Sequence, residues 1–242
     1  MVDLHCHILP GLDDGPRESE ESIAMARLAY DRGTTRLIAT PHCRKGGAGK
    51  VLESVEYMRQ QLQCLDLPLK LYPGMEIFAT EQTPQLLQEG KLLTLNGSRY
   101  PLVEFDFEGD GRLPGKILQE LRDAGYRPII AHPERYIFLQ QDPRLLNEWV
   151  DLGCLLQLNT GSLTGRFGPV CQDLAFSLVD RGFASAVASD AHGFDRRRPR
   201  LDRAWELLAH SFSPTAAAVL LEENPKKILK NESIQTPRLV RF

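Results

Sequence analysis

The sequence contains no apolar run near the about 20 residues a bilayer-crossing helix needs, so no helical membrane span is expected. It has no basic segment leading into an apolar stretch at its start, so no secretory leader is expected and a cytoplasmic location is. The five cysteines, Cys6, Cys43, Cys64, Cys154 and Cys171, form no C-x-x-C pair. Such an odd, scattered set reads as free thiols in a reducing compartment. None is followed, after five residues, by an arginine, which excludes the cysteine-dependent phosphatase chemistry. "GGAGK" at 46–50 lacks the upstream glycine and the following Ser/Thr of a nucleotide-phosphate loop, and there is no G-x-S-x-G elbow. Positive charge is not in excess: 29 Lys and Arg face 32 Asp and Glu, a net charge of −3 that argues against nucleic-acid binding through phosphates. No repeat, low-complexity tract or linker divides the chain.

What is present suits one α/β domain. At 242 residues and 42% hydrophobic content the chain can bury a full core. Short β-branched or apolar runs predict strands at 2–5, 35–40, 69–75, 100–105, 128–132, 154–158 and 185–189. Amphipathic stretches at 18–32, 115–124, 142–151, 168–181 and 199–210 predict helices, the first with an acidic opening turn and Gly33 at its C-terminal stop. Strands separated by helices indicate a parallel sheet or barrel. Residues 231–242 are expected to form an extended or loosely docked tail, leaving 1–230 as the domain.

Polar side chains of ligand type stand at the end of every predicted strand. His5 and His7 end the first, His42 follows the second, and Glu76 follows the third. Glu104 ends the fourth, His132 the fifth and Asn159 the sixth, and Asp190 and His192 follow the seventh. Five of the six histidines fall at these positions, and His210 alone sits on a predicted helix. In a parallel barrel the carboxyl ends of the strands converge on one face, where such folds carry their chemistry. His-x-His on an extended segment directs both imidazoles to one side, able to share an ion, and Asp-x-His does the same. Cys6 then points to the opposite side. Several imidazoles with carboxylates suit Mn²⁺, Fe²⁺ or Zn²⁺ and are too nitrogen-rich for Ca²⁺ or Mg²⁺.

The segments "DLHCHILPGLDDGP", "TPHCRKG", "PGMEIF", "LVEF", "IIAHPERY" and "ASDAHGFDRRRP" resemble, in order from residue 2 to about 230, the polymerase and histidinol phosphatase (PHP) superfamily. "HILPGLDDGP" and "HPERY" are similar to its bacterial tyrosine-protein phosphatase branch, which regulates capsule and exopolysaccharide synthesis. The resemblance implies a distorted TIM-like (β/α)₇ barrel with three divalent ions, manganese foremost and Fe²⁺ or Zn²⁺ as alternatives. It assigns one ion to His5, His7, Glu76 and Asp190. A second would share Glu76 and use Glu104 and His132. The third would take His42, His192 and one aspartate of the "DDG" turn, Asp14 in preference to Asp13. Arg135 matches a phosphate-clamping arginine. So does Arg197, although the run Arg196-Arg197-Arg198 leaves that position ambiguous by one. Gly193 departs from the branch, which often has asparagine there.

The implied activity is hydrolysis of phosphotyrosine by a metal-activated hydroxide, with a bacterial tyrosine autokinase tail as the expected partner. Metals lower the pKa of bound water, and arginine suits bidentate phosphate contact. The rival expectation is a small-molecule phosphomonoesterase acting on histidinol phosphate or a sugar phosphate. A non-catalytic metal-binding scaffold is the third. The segment 44–50, "RKGGAGK", is expected to form a mobile basic rim beside His42, and the oligomeric state is open.

Overall fold

A computed structural model describes residues 1–43, 47–234 and 239–242. Among the described residues nine strands run parallel: β1 (Val2–Cys6), β2 (Arg36–Ala39), β3 (His42–Cys43), β4 (Lys70–Pro73), β5 (Glu76–Phe78), β6 (Leu102–Glu104), β7 (Ile129–Ala131), β8 (Leu155–Asn159) and β9 (Ala184–Ala188). They form one set in the order β1-β2-β4 and another in the order β3-β5-β6-β7-β8-β9. These are seven strands, two of them interrupted. Thr40 and Pro41 divide β2 from β3, and Gly74 and Met75 divide β4 from β5. A parallel bridge from Cys6 to Ala191, with His7 N–H donating to the Ala191 carbonyl at 2.8 Å, joins the last strand to the first and closes a distorted (β/α)₇ barrel.

All seven expected strands form. The predicted strands end at 40 and 75, and the short continuations β3 and β5 beyond them were not anticipated. The second interruption requires glycine: a Cβ on Gly74 would lie 2.8 Å from the Ile38 side chain and 3.0 Å from that of Leu95. The expected helices appear as Ser19–Asp31, Arg112–Asp123, Leu145–Asp151, Pro169–Asp180 and Leu201–Ser211. Not anticipated is the helix Ala48–Cys64, whose Val51, Val55, Met58 and Leu62 recur at helical spacing and are buried. It takes up the last three residues of the segment expected as a basic rim. Ala48, Gly49 and Lys50 are its first turn, while Arg44, Lys45 and Gly46 lie outside the described residues.

Strand alternation sorts the apolar residues into two cores. Val103, Ile130, Leu156 and Val187 belong to the larger cluster, with the helices. Leu102, Ile129, Leu155 and Ala186 belong to a smaller inner cluster, which Ile228, Leu229 and Ile234 join from the end of the chain. That segment is pinned to the starts of strands. Asn224 donates to the Ser185 carbonyl at 2.9 Å, Tyr100 Oη to the Glu232 carbonyl at 2.7 Å, and Arg127 to the Ile234 carbonyl at 3.3 Å. The amino end of the barrel is thereby stoppered, and polar groups gather at the carboxyl end. At the terminus Arg241 pairs with Asp151 at 2.6 Å, and Phe242 packs on Phe183.

Candidate metal centre

The carboxyl ends of the strands bring together every strand-end residue the sequence singled out. His5 Nε2 and His7 Nε2 lie 3.1 Å apart. Both are 3.2 Å from Glu76 Oε2, and they lie 3.4 and 3.5 Å from Asp190 Oδ1. His132 Nε2 is 2.9 Å from Glu76 Oε1 and 3.9 Å from Glu104 Oε1. His42 stands between neighbourhoods. Its Nδ1 is 3.0 Å from Glu76 Oε2 and 3.6 Å from Glu104 Oε2, and its Nε2 is 3.6 Å from Asp14 Oδ1. His192 Nε2 is 3.3 Å from the same Asp14 oxygen. Three compact donor groups result: His5, His7, Glu76 and Asp190; His42, Glu76 and Glu104; and His7, Asp14, His42 and His192.

The outer hydrogen bonds determine which ring nitrogens face the cluster. Gln157 donates through Nε2 to the Leu158 carbonyl at 2.7 Å, so its Oε1, 2.8 Å from His5 Nδ1, accepts the His5 proton. Asp13 Oδ2 accepts the Nδ1–H of His7 at 2.6 Å and the backbone N–H of His42 at 2.9 Å. His192 Nδ1 donates to the Asp190 carbonyl at 3.0 Å. In all three rings Nδ1 is engaged on the outer side and Nε2 is the nitrogen directed into the cluster, the orientation a metal ligand needs. Two ring nitrogens 3.1 Å apart need a shared proton or a cation between them. Glu76 Oε2, Asp190 Oδ1 and His192 Nε2 are buried without any hydrogen-bond partner. Donors held by a cation at about 2.1 Å stand about 3.0 to 3.4 Å from one another in octahedral or tetrahedral arrangements, which matches the His5, His7, Glu76 and Asp190 group, whose spacings are 3.1 to 3.5 Å. The donor set therefore fits divalent metal.

The charges of the cluster act on one another. Burial works against a charged His5 and His7, but the carboxylates of Glu76, Asp190 and, for His7, Asp13 raise both imidazoles above their ordinary value. Burial would raise Glu76, yet the charge of His5, the hydrogen bond from His132 and the neighbouring His42 imidazole hold it well below the usual range. Glu104 goes the other way: burial and the adjacent Glu76 charge push it up to about 7.

Asp14, with its side chain 62% exposed, faces His42 and His192, whereas Asp13 is turned to His7 and to Gly15 N–H at 2.9 Å. Gly15 makes the turn possible, because a Cβ there would sit 2.4 Å from the His7 carbonyl oxygen. Arg135 Nη1 lies 3.3 Å from Asp190 Oδ2, and Arg197 Nη2 bonds the same oxygen. Of the 196–198 run, only Arg197 reaches the cluster. Arg198 turns to the Asp195 carbonyl at 3.2 Å, and Arg196 is exposed. The Arg135 guanidinium is sandwiched between Phe107 and Phe167, 4.8 and 4.4 Å from their ring centres. Cys6 Sγ points away from the cluster, 3.9 Å from the Ala191 carbonyl. His132, Asp190 and Arg197 all adopt positive φ, at 35°, 49° and 50°, a conformation that costs energy and concentrates at functional sites.

Several supporting residues were not anticipated. Gln157 and Asp13 act through histidines. Asn159, noted only as a strand end, holds Asp190 Oδ2 at 2.5 Å through its amide and caps the next helix through Gly161 N–H at 2.7 Å. Glu134 accepts the Asn159 backbone N–H at 2.8 Å.

Barrel and donor cluster together define a class, a TIM-like barrel with a metal-binding face at the carboxyl ends of its strands. A family model for capsular polysaccharide synthesis, CpsB/CapC, matches residues 1–230, and the chain belongs to that family. It is 36% identical over its full length to the tyrosine-protein phosphatase YwqE of Bacillus subtilis (strain 168), covering 97% of that protein. A solved structure of YwqE from Bacillus subtilis and CpsB from Streptococcus pneumoniae, described as unique metal-dependent tyrosine phosphatases, superposes with a TM-score of 0.93 at 36% identity, covering 100% of both chains. The tyrosine-protein phosphatase CpsB of Streptococcus pneumoniae is 31% identical over 97% of this chain and 100% of its own. The dihydropyrimidinase of Brevibacillus agri NCHU1002, at 12% identity, TM-score 0.59 and coverage of 98% of this chain and 73% of that one, shares the fold alone.

Proposed function

We propose that this protein is a metal-dependent protein-tyrosine phosphatase of capsular or exopolysaccharide synthesis, working in the cytoplasm on a phosphotyrosyl protein such as the tail of a tyrosine autokinase. The observation that carries the metal dependence is the pair of imidazole nitrogens, His5 Nε2 and His7 Nε2, facing each other at 3.1 Å beside buried Glu76 and Asp190 oxygens that no hydrogen bond satisfies. We assign catalysis to the barrel of residues 1–230. Three divalent ions, manganese foremost, are taken to be held by His5, His7, Glu76 and Asp190, by Glu76, Glu104 and His132, and by Asp14, His42 and His192. When bound, they supply a water of lowered pKa and neutralise phosphate charge.

The chain's own groups do the rest. Arg135 and Arg197 converge on one oxygen of Asp190, so their remaining N–H groups are available to phosphate oxygens entering beside it. The Phe107–Arg135–Phe167 stack fixes that guanidinium in one plane before substrate arrives, so little entropy is lost on binding. Asn159 donates its amide to that same oxygen, so three groups fix the Asp190 carboxylate. Phenolate leaves readily, so no dedicated acid is required.

The test is steady-state kinetics with Mn²⁺, Fe²⁺ or Zn²⁺ on a phosphotyrosyl peptide, histidinol phosphate and sugar phosphates. The peptide is expected to be the preferred substrate, and Arg197→Ala to lower its kcat/KM by about 100-fold or more. Arg196→Ala should change it little. Preference for the small esters would replace this reading with that of a small-molecule phosphomonoesterase.

A further inference from the structure

A cavity of about 440 Å³ opens beside the cluster. Asn159 and Arg197 line it, and both bond Asp190, so it begins one side chain from the reaction centre. Phe167, which stacks on Arg135, forms another part of the wall. The rest is strongly basic: Arg166, Arg197, Arg198, Arg200 and Arg203 line it against a single carboxylate, Asp195. Arg200 is neutralised by a two-pronged pair with Asp202 at 2.7 Å. Arg203 meets Glu206 only at 3.4 Å, in a pair whose side chains are 60% and 66% exposed. Arg166 has no ion-pair partner among the described residues. A different cavity over the same centre has the opposite character, lined by Glu104, Asp106 and Glu108 with Phe78 and Phe107. A peptide laid across the centre therefore meets positive charge on one side and negative charge on the other.

We propose that the arginine-lined cavity is a substrate subsite for an anionic side chain, a carboxylate or a second phosphate, flanking the phosphotyrosine under hydrolysis. The proposal rests on the phosphatase reading above and adds what that reading does not contain: a preference for acidic sequence beside the scissile residue. Guanidinium groups match both anions bidentately, and exposed pairs such as Arg203–Glu206 hold them too weakly to compete. The cavity also disfavours a lysine flank, which would be repelled by Arg166, which has no ion pair among the described residues, and by the weakly paired, exposed Arg203.

The experiment compares kcat/KM for four phosphotyrosyl peptides that differ only in the flanking residue: alanine, glutamate, lysine or a second phosphotyrosine. The expected order places glutamate and phosphotyrosine above alanine by about 3- to 10-fold and lysine below it, with the spread shrinking as salt is raised. The larger of the two anionic effects identifies which anion the cavity takes. In Arg166→Glu/Arg203→Glu, both changes being at exposed positions, the glutamate preference is expected to vanish or invert toward lysine. Equal turnover of the four peptides by the unaltered enzyme would overturn the subsite while leaving the phosphatase reading intact. So would a glutamate preference that survives the double charge reversal. Failure to hydrolyse any of the peptides would overturn both.

Discussion

Two adjacent aspartates with different surroundings show how much a single position decides. Asp13 is largely buried; burial would raise its carboxyl, but the His7 hydrogen bond and charge hold it at about 2. It orients a ring rather than facing the donor cluster. Asp14 projects into the third donor group. Asp14→Asn is therefore expected to remove close to one ion per chain, counted by mass spectrometry of the metal-loaded protein. Asp13→Asn should retain the full count but weaken binding by about 10- to 100-fold, read by titration with a competing chelator. Loss of the same ion from both variants would contradict this division. The strand-end donors were legible in the sequence because each is a polar residue closing an apolar run. Gln157 was not legible, because a lone polar residue inside a strand reads as ordinary alternation, and only the folded barrel brings His5 Nδ1 to 2.8 Å from its oxygen.

Among elements, the interruptions of strands and the tight turn after β1 are held by glycines of opposite consequence to those in open helices. Gly15→Ala would place a methyl group 2.4 Å from a backbone oxygen, and Gly74→Ala 2.8 Å from a packed isoleucine. Each is expected to destabilise the protein by about 1–3 kcal/mol. Gly49, in the first turn of the helix Ala48–Cys64, has nothing within 4 Å of where a Cβ would stand. Gly49→Ala is expected to stabilise by up to about 1 kcal/mol. Denaturant melts of the three variants check the signs, and a destabilised Gly49→Ala would contradict the account. The seven strands and five of the helices could be read from periodicity, since each pairs an apolar face with turn residues. The helix Ala48–Cys64 escaped because "GGAGK" at its entrance reads as a loop, and the strand breaks because Pro73-Gly74 sits within an otherwise continuous run.

For the whole molecule, the barrel is a ring whose last strand meets its first through one short bridge, Cys6 to Ala191. His5 and His7 lie on one side of that join, and Asp190 and His192 on the other. With each metal near a hundredfold above its Kd, loading one site is expected to add about 3 kcal/mol of stability, or roughly 6–10 °C in Tm for a chain of this size. Thermal melts with and without chelator, at fixed pH, measure it, and an unchanged Tm would contradict metal binding at the cluster. The location of the join gives that stability a direction. Ions gripped from both flanks of the seam work as a clasp on a bracelet: each can be held only while the ring is shut, and each keeps it shut. Stripping the ions should therefore not soften the protein evenly. Amide protons at Cys6, His7, Asp190 and Ala191 should begin to exchange with solvent first, while the stoppered far end, tied by Tyr100, Arg127 and Asn224, keeps its protection.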